Sequence, residues 1–127
     1  MFIRYIVKIE KFAESHYIKK FSKKYNNFWD KTLKGIMLEL ERFDNYKEKT
    51  SISSFKSIHI FKIEFRVAGT NSSKKNSGNR YIISLDKAKN EIKILLVYHK
   101  NDIGNRNETA TWKKIIRNNY NDYNFLK

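Results

Sequence analysis

The chain of 127 residues carries 27 Lys and Arg against 13 Asp and Glu, a formal net charge of +14, and it contains neither cysteine nor proline. The missing cysteines exclude disulfides, thiolate nucleophiles and sulfur-ligated zinc, and no apolar run approaches the roughly 20 residues that span a bilayer. With 40% hydrophobic residues, among them nine Phe and eight Tyr, the length suits one compact domain over 1–127, and the cation excess asks for a polyanionic partner in the cytoplasm, nucleic acid before acidic protein.

Phe2, Tyr5, Val7 and Ile9 lie in a β-branched and aromatic stretch that predicts an opening strand of about seven residues. Phe12, Ala13, Tyr17, Ile18 and Phe21 then follow helical spacing, with Lys19, Lys20, Lys23 and Lys24 on the outer face. Asn26 and Asn27 make a short break before a second stripe from Phe28 and Trp29 through Leu33, Ile36, Met37 and Leu40 to Phe43. So short a connection predicts an antiparallel helical hairpin. The polar stretch 44–57 is read as a connector into a sheet.

From residue 58 the period drops to two. Phe61, Ile63, Phe65 and Val67 share one face of a strand, while Lys62, Glu64 and Arg66 share the other. The segment AGTNSSKKNSGN, 68–79, is expected as a long, mobile loop, after which 80–86 repeats the alternation. There Tyr81, Ile83 and Leu85 point inward and Arg80, Ser84 and Asp86 outward, with Ile82 interrupting the polar side. LDKAKNE is a turn, and 92–98, apolar at nearly every position, suits a central strand covered on both faces. After the break at Asp102, Gly104 and Asn105, residues 109–120 predict a short C-terminal helix capped by Asn107 or Thr109, with Trp112 packed on the sheet. The tail NDYNFLK is expected to fray. The fold class is α+β: an N-terminal strand, a helical hairpin, a three-stranded antiparallel meander and a C-terminal helix.

Strand parity then predicts a sheet with one apolar and one cationic face, on which Lys62, Arg66, Arg80, His99 and Lys100 converge. Lys62 and Arg66 are two alternation steps apart, roughly 13 Å between Cα atoms, a span along which a stretched RNA backbone can run. Arginine offers a permanently charged fork that fits a phosphate, and lysine a point charge able to give up a proton. His99 ends the run LLVYHK and has the one side-chain type that exchanges a proton readily at neutral pH. Tyr98 is a surface on which a splayed base can stack, and Lys74 and Lys75 of the loop join the phosphate contacts, whereas parity assigns Tyr81 to the core. The plain alternative for the first strand is a soluble face on which Glu64 pairs its neighbours. Three scattered histidines have no metal-ligand spacing, and GxSxG, Walker and Rossmann patterns are absent, so neither metal nor cofactor is expected. Hydrolysis would then use the nucleophile that RNA itself carries, the 2′-hydroxyl.

The successive segments FKSIHIFKIEFR, GNRYIISLD and EIKILLVYHKND, set behind a strand and a helical pair, resemble the RelE/ParE toxin superfamily over roughly residues 2 to 120. The resemblance implies the toxin of a type II toxin–antitoxin system: a ribosome-dependent, metal-independent mRNA endonuclease that inhibits translation and is held inactive by a cognate acidic antitoxin. On this pattern Lys62 matches a catalytic basic residue, Arg80 the transition-state arginine after the glycine, and His99 and Lys100 the final basic position. Lys62 or His99 is then the base, Arg80 and Arg66 hold the scissile phosphate, and Lys100 or His99 protonates the leaving oxygen. The 68–79 loop is an insertion, and the chain beyond Lys100 offers only Trp112, Tyr120 and Tyr123 where some members carry a catalytic tyrosine. The ParE branch, which inhibits gyrase, and a non-catalytic RNA-binding module are the competing readings.

Overall fold

The computed structural model describes residues 4–44, 51–103 and 107–126. Strand β1 (Ile6–Ile9) leads into a continuous helical run made of α1 (Lys11–Ala13), a π-helical turn (Glu14–Ile18) and α2 (Lys19–Lys24). Helix α3 (Trp29–Glu41), strands β2 (Ser53–Phe55), β3 (Ile58–Phe65), β4 (Asn79–Asp86) and β5 (Glu91–His99), and helix α4 (Glu108–Asn119) complete the chain, with 3₁₀ turns at Lys100–Asp102 and Asn121–Tyr123. The fold is α+β, and no helix among the described residues is long and apolar enough to cross a membrane.

The strands form one mixed sheet in the order β1-β5-β4-β3-β2. β3, β4 and β5 are successive antiparallel neighbours, and β1 runs parallel to β5 with Ile6 opposite Glu91. Two expectations need correction here. The opening strand has four residues, because Tyr5 already donates its backbone N–H to the Glu41 carbonyl at the end of α3; Met1, Phe2 and Ile3 lie outside the described residues. The stretch taken as a connector contributes a fifth strand, β2, whose two-residue turn to β3 holds Lys56 at φ 56°. Residues 45–50 of that stretch lie outside the described residues.

Apolar side chains cover both faces of the sheet. On one side α1, α2 and α3 press Ala13, Ile18, Phe21, Trp29, Ile36 and Leu40 onto the Phe61, Phe65, Tyr81 and Ile83 face. The π-turn makes that possible: Ala13 and Ile18 are five residues apart, and the Lys19 N–H reaches back to the Glu14 carbonyl, so the extra residue brings both inward. On the other side Trp112 and Ile116 of α4 pack on Ile60, Ile82, Leu95 and Leu96. The expected cationic face is therefore apolar over most of its length, since Ile58 and Ile60 share the parity of Lys62 and Ile82 that of Arg80. Trp112 packs on the sheet as expected.

The tail does not fray. Tyr123 and Leu126 are buried in the second core, Tyr123 Oη lies 3.0 Å from Ser84 Oγ, and Arg117 donates to the Leu126 carbonyl at 2.9 Å. Segment 68–79 is a loop up to the start of β4, as expected, and hydrogen bonds pin it to the sheet. Ser77 Oγ donates to the Phe65 carbonyl and Thr70 Oγ1 to that of Val67, and Gly78, at φ +77°, turns the chain into β4.

Candidate functional site

The polar end of the α4-covered face is assembled by a bulge. Along β5 the register with β4 passes from Ile83↔Ile94 to Ile82↔Leu96, leaving Leu95 as the extra residue. Its carbonyl accepts a hydrogen bond from Tyr120 Oη at 2.6 Å. The inserted residue reverses the parity of everything after it, so Ile94 and Val97 both join the helical-side core while Tyr98 turns toward α4. Glu64, Arg80 and Tyr98 consequently stand in one row across β3, β4 and β5.

Glu108, in the first turn of α4, caps that row. Its Oε2 accepts from Tyr98 Oη at 2.7 Å and lies 3.7 Å from Lys62 Nζ and 3.8 Å from Arg80 Nε. Arg80 is buried at 6% exposure; its guanidinium also pairs with Glu64 at 3.4 Å and donates to the carbonyls of Asn79 and Lys75 at 3.0 and 3.1 Å. A buried guanidinium needs this complement, because an unpaired charge away from water costs several kcal/mol. Burial first, then the hydrogen bond to Glu108 and its charge, hold the Tyr98 hydroxyl well above the ordinary tyrosine range, so it remains a donor. The cluster balances two cations with two carboxylates, and a single anionic oxygen sits where three donors from three strands meet.

Lys62 and Glu64 also open onto a cleft of about 1040 Å³ between the edge of β3 and the end of α3, where Arg4, Arg42, Lys74 and Lys75 share the lining with Glu39, Glu41 and Asp44. Three of the residues singled out in the sequence, Lys62, Lys74 and Lys75, thus border one space, and Arg80 reaches the Lys75 carbonyl. Arg66 lies exposed beyond the end of β3, and Lys100 is exposed in the 3₁₀ turn.

His99 is not part of the row. Paired with Asn79, itself opposite Phe65, it lies on the helical side of the sheet. Its Nδ1 accepts from the Asn101 N–H at 3.1 Å, and its Nε2 packs so close to Gly78 that a Cβ there would lie 2.5 Å away. The convergence of Lys62, Arg80 and His99 on one face is corrected: the bulge sends the histidine to the opposite side, where it caps the turn after β5. The Tyr98 ring is fully enclosed, so stacking a base on it requires α4 to withdraw. Glu64 fills the role of cross-strand partner that only the plain alternative for this strand gave it, and Glu108 was not among the expected residues, its one signal being a lone carboxylate at the start of an amphipathic helix.

Comparison of the chain with protein-family models, with curated proteins and with solved structures returns no match.

Proposed function

We propose that the protein is an RNA-directed endoribonuclease with a RelE-like arrangement of its strands and helices, acting on mRNA at the ribosome without metal and restrained by an acidic antitoxin. The observation that carries this reading is the convergence of Lys62, Arg80 and Tyr98 on one anionic oxygen of Glu108. A carboxylate flanked by a lysine and an arginine sets a proton acceptor beside cations able to face a phosphate oxygen. In the proposed reaction the RNA 2′-oxygen attacks the adjacent phosphorus and loses its proton to Glu108. The bond from phosphorus to the 5′-oxygen breaks, that oxygen takes a proton from Lys62, and a 2′,3′-cyclic phosphate and a 5′-hydroxyl result. Arg80 holds the charge that builds on the phosphoryl oxygens, and Tyr98 orients Glu108. Lys74, Lys75, Arg66 and Lys100 are assigned to flanking phosphates. His99 has no part in proton transfer on this reading.

A second reading has a specific observation in its favour. Both buried-site cations already hold carboxylates, which is what a structural ion-pair network in a non-catalytic binding module, or in a ParE-like inhibitor of gyrase, would also contain. Expression without an acidic partner separates them. The endonuclease reading expects growth arrest with transcripts cut on translating ribosomes, abolished in Lys62→Met. Arg80→Ala is a poor probe, because stripping one partner from a buried pair costs about 3–5 kcal/mol. Intact transcripts during arrest would remove the endonuclease reading, and a DNA-damage response in their place would favour gyrase.

A further inference from the structure

Among the described residues, the cations at the centre of the candidate site are compensated. Lys62 and Arg80 are neutralised by Glu64 and Glu108, and Lys8 and Lys93 share Glu91. On the outer surface of the helical layer the balance is different. Residues 11–34 hold seven lysines and two carboxylates, Glu14 and Asp30. Lys19, Lys20, Lys23 and Lys24 of α2 and Lys31 and Lys34 of α3 are all exposed, and none has a carboxylate partner among the described residues. Most of this layer covers the face of the sheet opposite to Glu108 and α4, and Lys20 borders a pocket at the sheet's rim that Asp102, Thr111 and Ile115 also line.

We propose that the α2–α3 surface is a second binding surface, which docks the phosphate backbone of RNA. The choice of RNA rests on the function proposed above; the choice of a phosphate backbone does not. The exposed charges of the patch are lysines with no arginine among them, Tyr25 and the half-exposed Phe28 being confined to the connection between the two helices, whereas protein interfaces are depleted in lysine and enriched in Arg, Tyr and Trp. Backbone contacts that release counterions need only such mobile point charges. On α2, Lys19 with Lys23 and Lys20 with Lys24 form two rows, each pair separated by one helical turn of about 6 Å, so the charges follow a line. An ordinary solvated face has carboxylates interspersed; here Ser22 is the one uncharged residue among the exposed positions of α2.

The test is the salt dependence of binding to a 20-bp RNA duplex, to a DNA duplex of the same sequence and to poly-glutamate. It compares the intact protein with a Lys19→Gln, Lys20→Gln, Lys23→Gln, Lys24→Gln variant. Glutamine matches lysine in helix propensity and the four positions are exposed, so the fold is retained, as circular dichroism will verify. The intact protein should bind RNA at least as tightly as DNA and far more tightly than poly-glutamate. The variant should bind at least tenfold more weakly, with the slope of log K against log salt reduced by up to about 3.6, or about 0.9 for each of the four contacts removed. Adding Lys31→Gln and Lys34→Gln should lower the slope further. An unchanged slope, tenfold tighter DNA binding, or lysine-dependent capture of poly-glutamate in preference to RNA would each overturn the proposal. Since no cleavage is read, a chain without nuclease activity leaves this result fully interpretable.

Discussion

The Tyr120 hydroxyl donates to the Leu95 carbonyl at 2.6 Å, fastening the C-terminal helix to the one residue of β5 that the sheet ladder leaves over. That bond holds in place the irregularity on which the candidate site depends, because the extra residue turns Tyr98 toward Arg80. Tyr120→Phe leaves a carbonyl at the sheet centre without its donor, at a cost of about 1–3 kcal/mol. Urea unfolding should show the midpoint falling with the slope unchanged. An unaltered midpoint would mean that water replaces the hydroxyl.

Glu108→Gln tests the anionic centre of the site. The amide keeps an acceptor for Tyr98 but leaves Lys62 and Arg80 short of one negative charge, and stability should fall by about 1–3 kcal/mol. Sulfate should then raise the melting temperature of the variant more than that of the unmodified protein, because an anion can occupy the vacated charge position. Equal responses to sulfate would show that the donors do not accept an external anion.

Four tyrosines tie stability to alkaline pH. Burial is the first cause that raises the hydroxyls of Tyr81, Tyr98, Tyr120 and Tyr123 above the ordinary value, and the charge of Glu39 adds to it at Tyr81. The folded state keeps them neutral while unfolded tyrosines ionise near about 10. Stability is therefore complete below that pH and declines as pH rises toward the folded values. Tyrosinate absorbance from these four should appear together with the loss of circular dichroism; their gradual ionisation in a protein that stays folded would contradict the burial.

Gly78→Ala should be destabilising for two reasons, the positive φ of +77° and the close packing of His99 Nε2. A left-handed position disfavours alanine by about 1 kcal/mol, and the clash adds to it. In a double-mutant cycle with His99→Ala, the second substitution should recover the steric part and not the backbone part. Strict additivity would mean that the imidazole swings clear unaided.

The alternation of Phe61, Ile63 and Phe65 against Lys62 and Glu64 was legible in the sequence because a half-polar strand reveals its phase with each pair of residues. The run Ile92 to Tyr98 does not. When Ile94, Leu95 and Leu96 are all apolar, a bulge leaves no mark in hydrophobicity, and that silence carried His99 onto the wrong side. β2 was invisible for a different reason, since Ser53 and Ser54 are weak strand formers that become a strand through pairing with His59 and Ile60. In the tail, two buried residues, Tyr123 and Leu126, are too few to show a period. The proximity of Glu108 to Lys62 joins positions 46 residues apart, a separation no local pattern encodes.

β1 lies beside β5 in parallel, so strands about 85 residues apart along the chain are neighbours, and Leu126 is buried in the second core. Contacts this distant along the chain close late. In the order of synthesis β1 therefore stays without its partner until β5 has followed it, and Arg80 stays without its cover until α4 has been made.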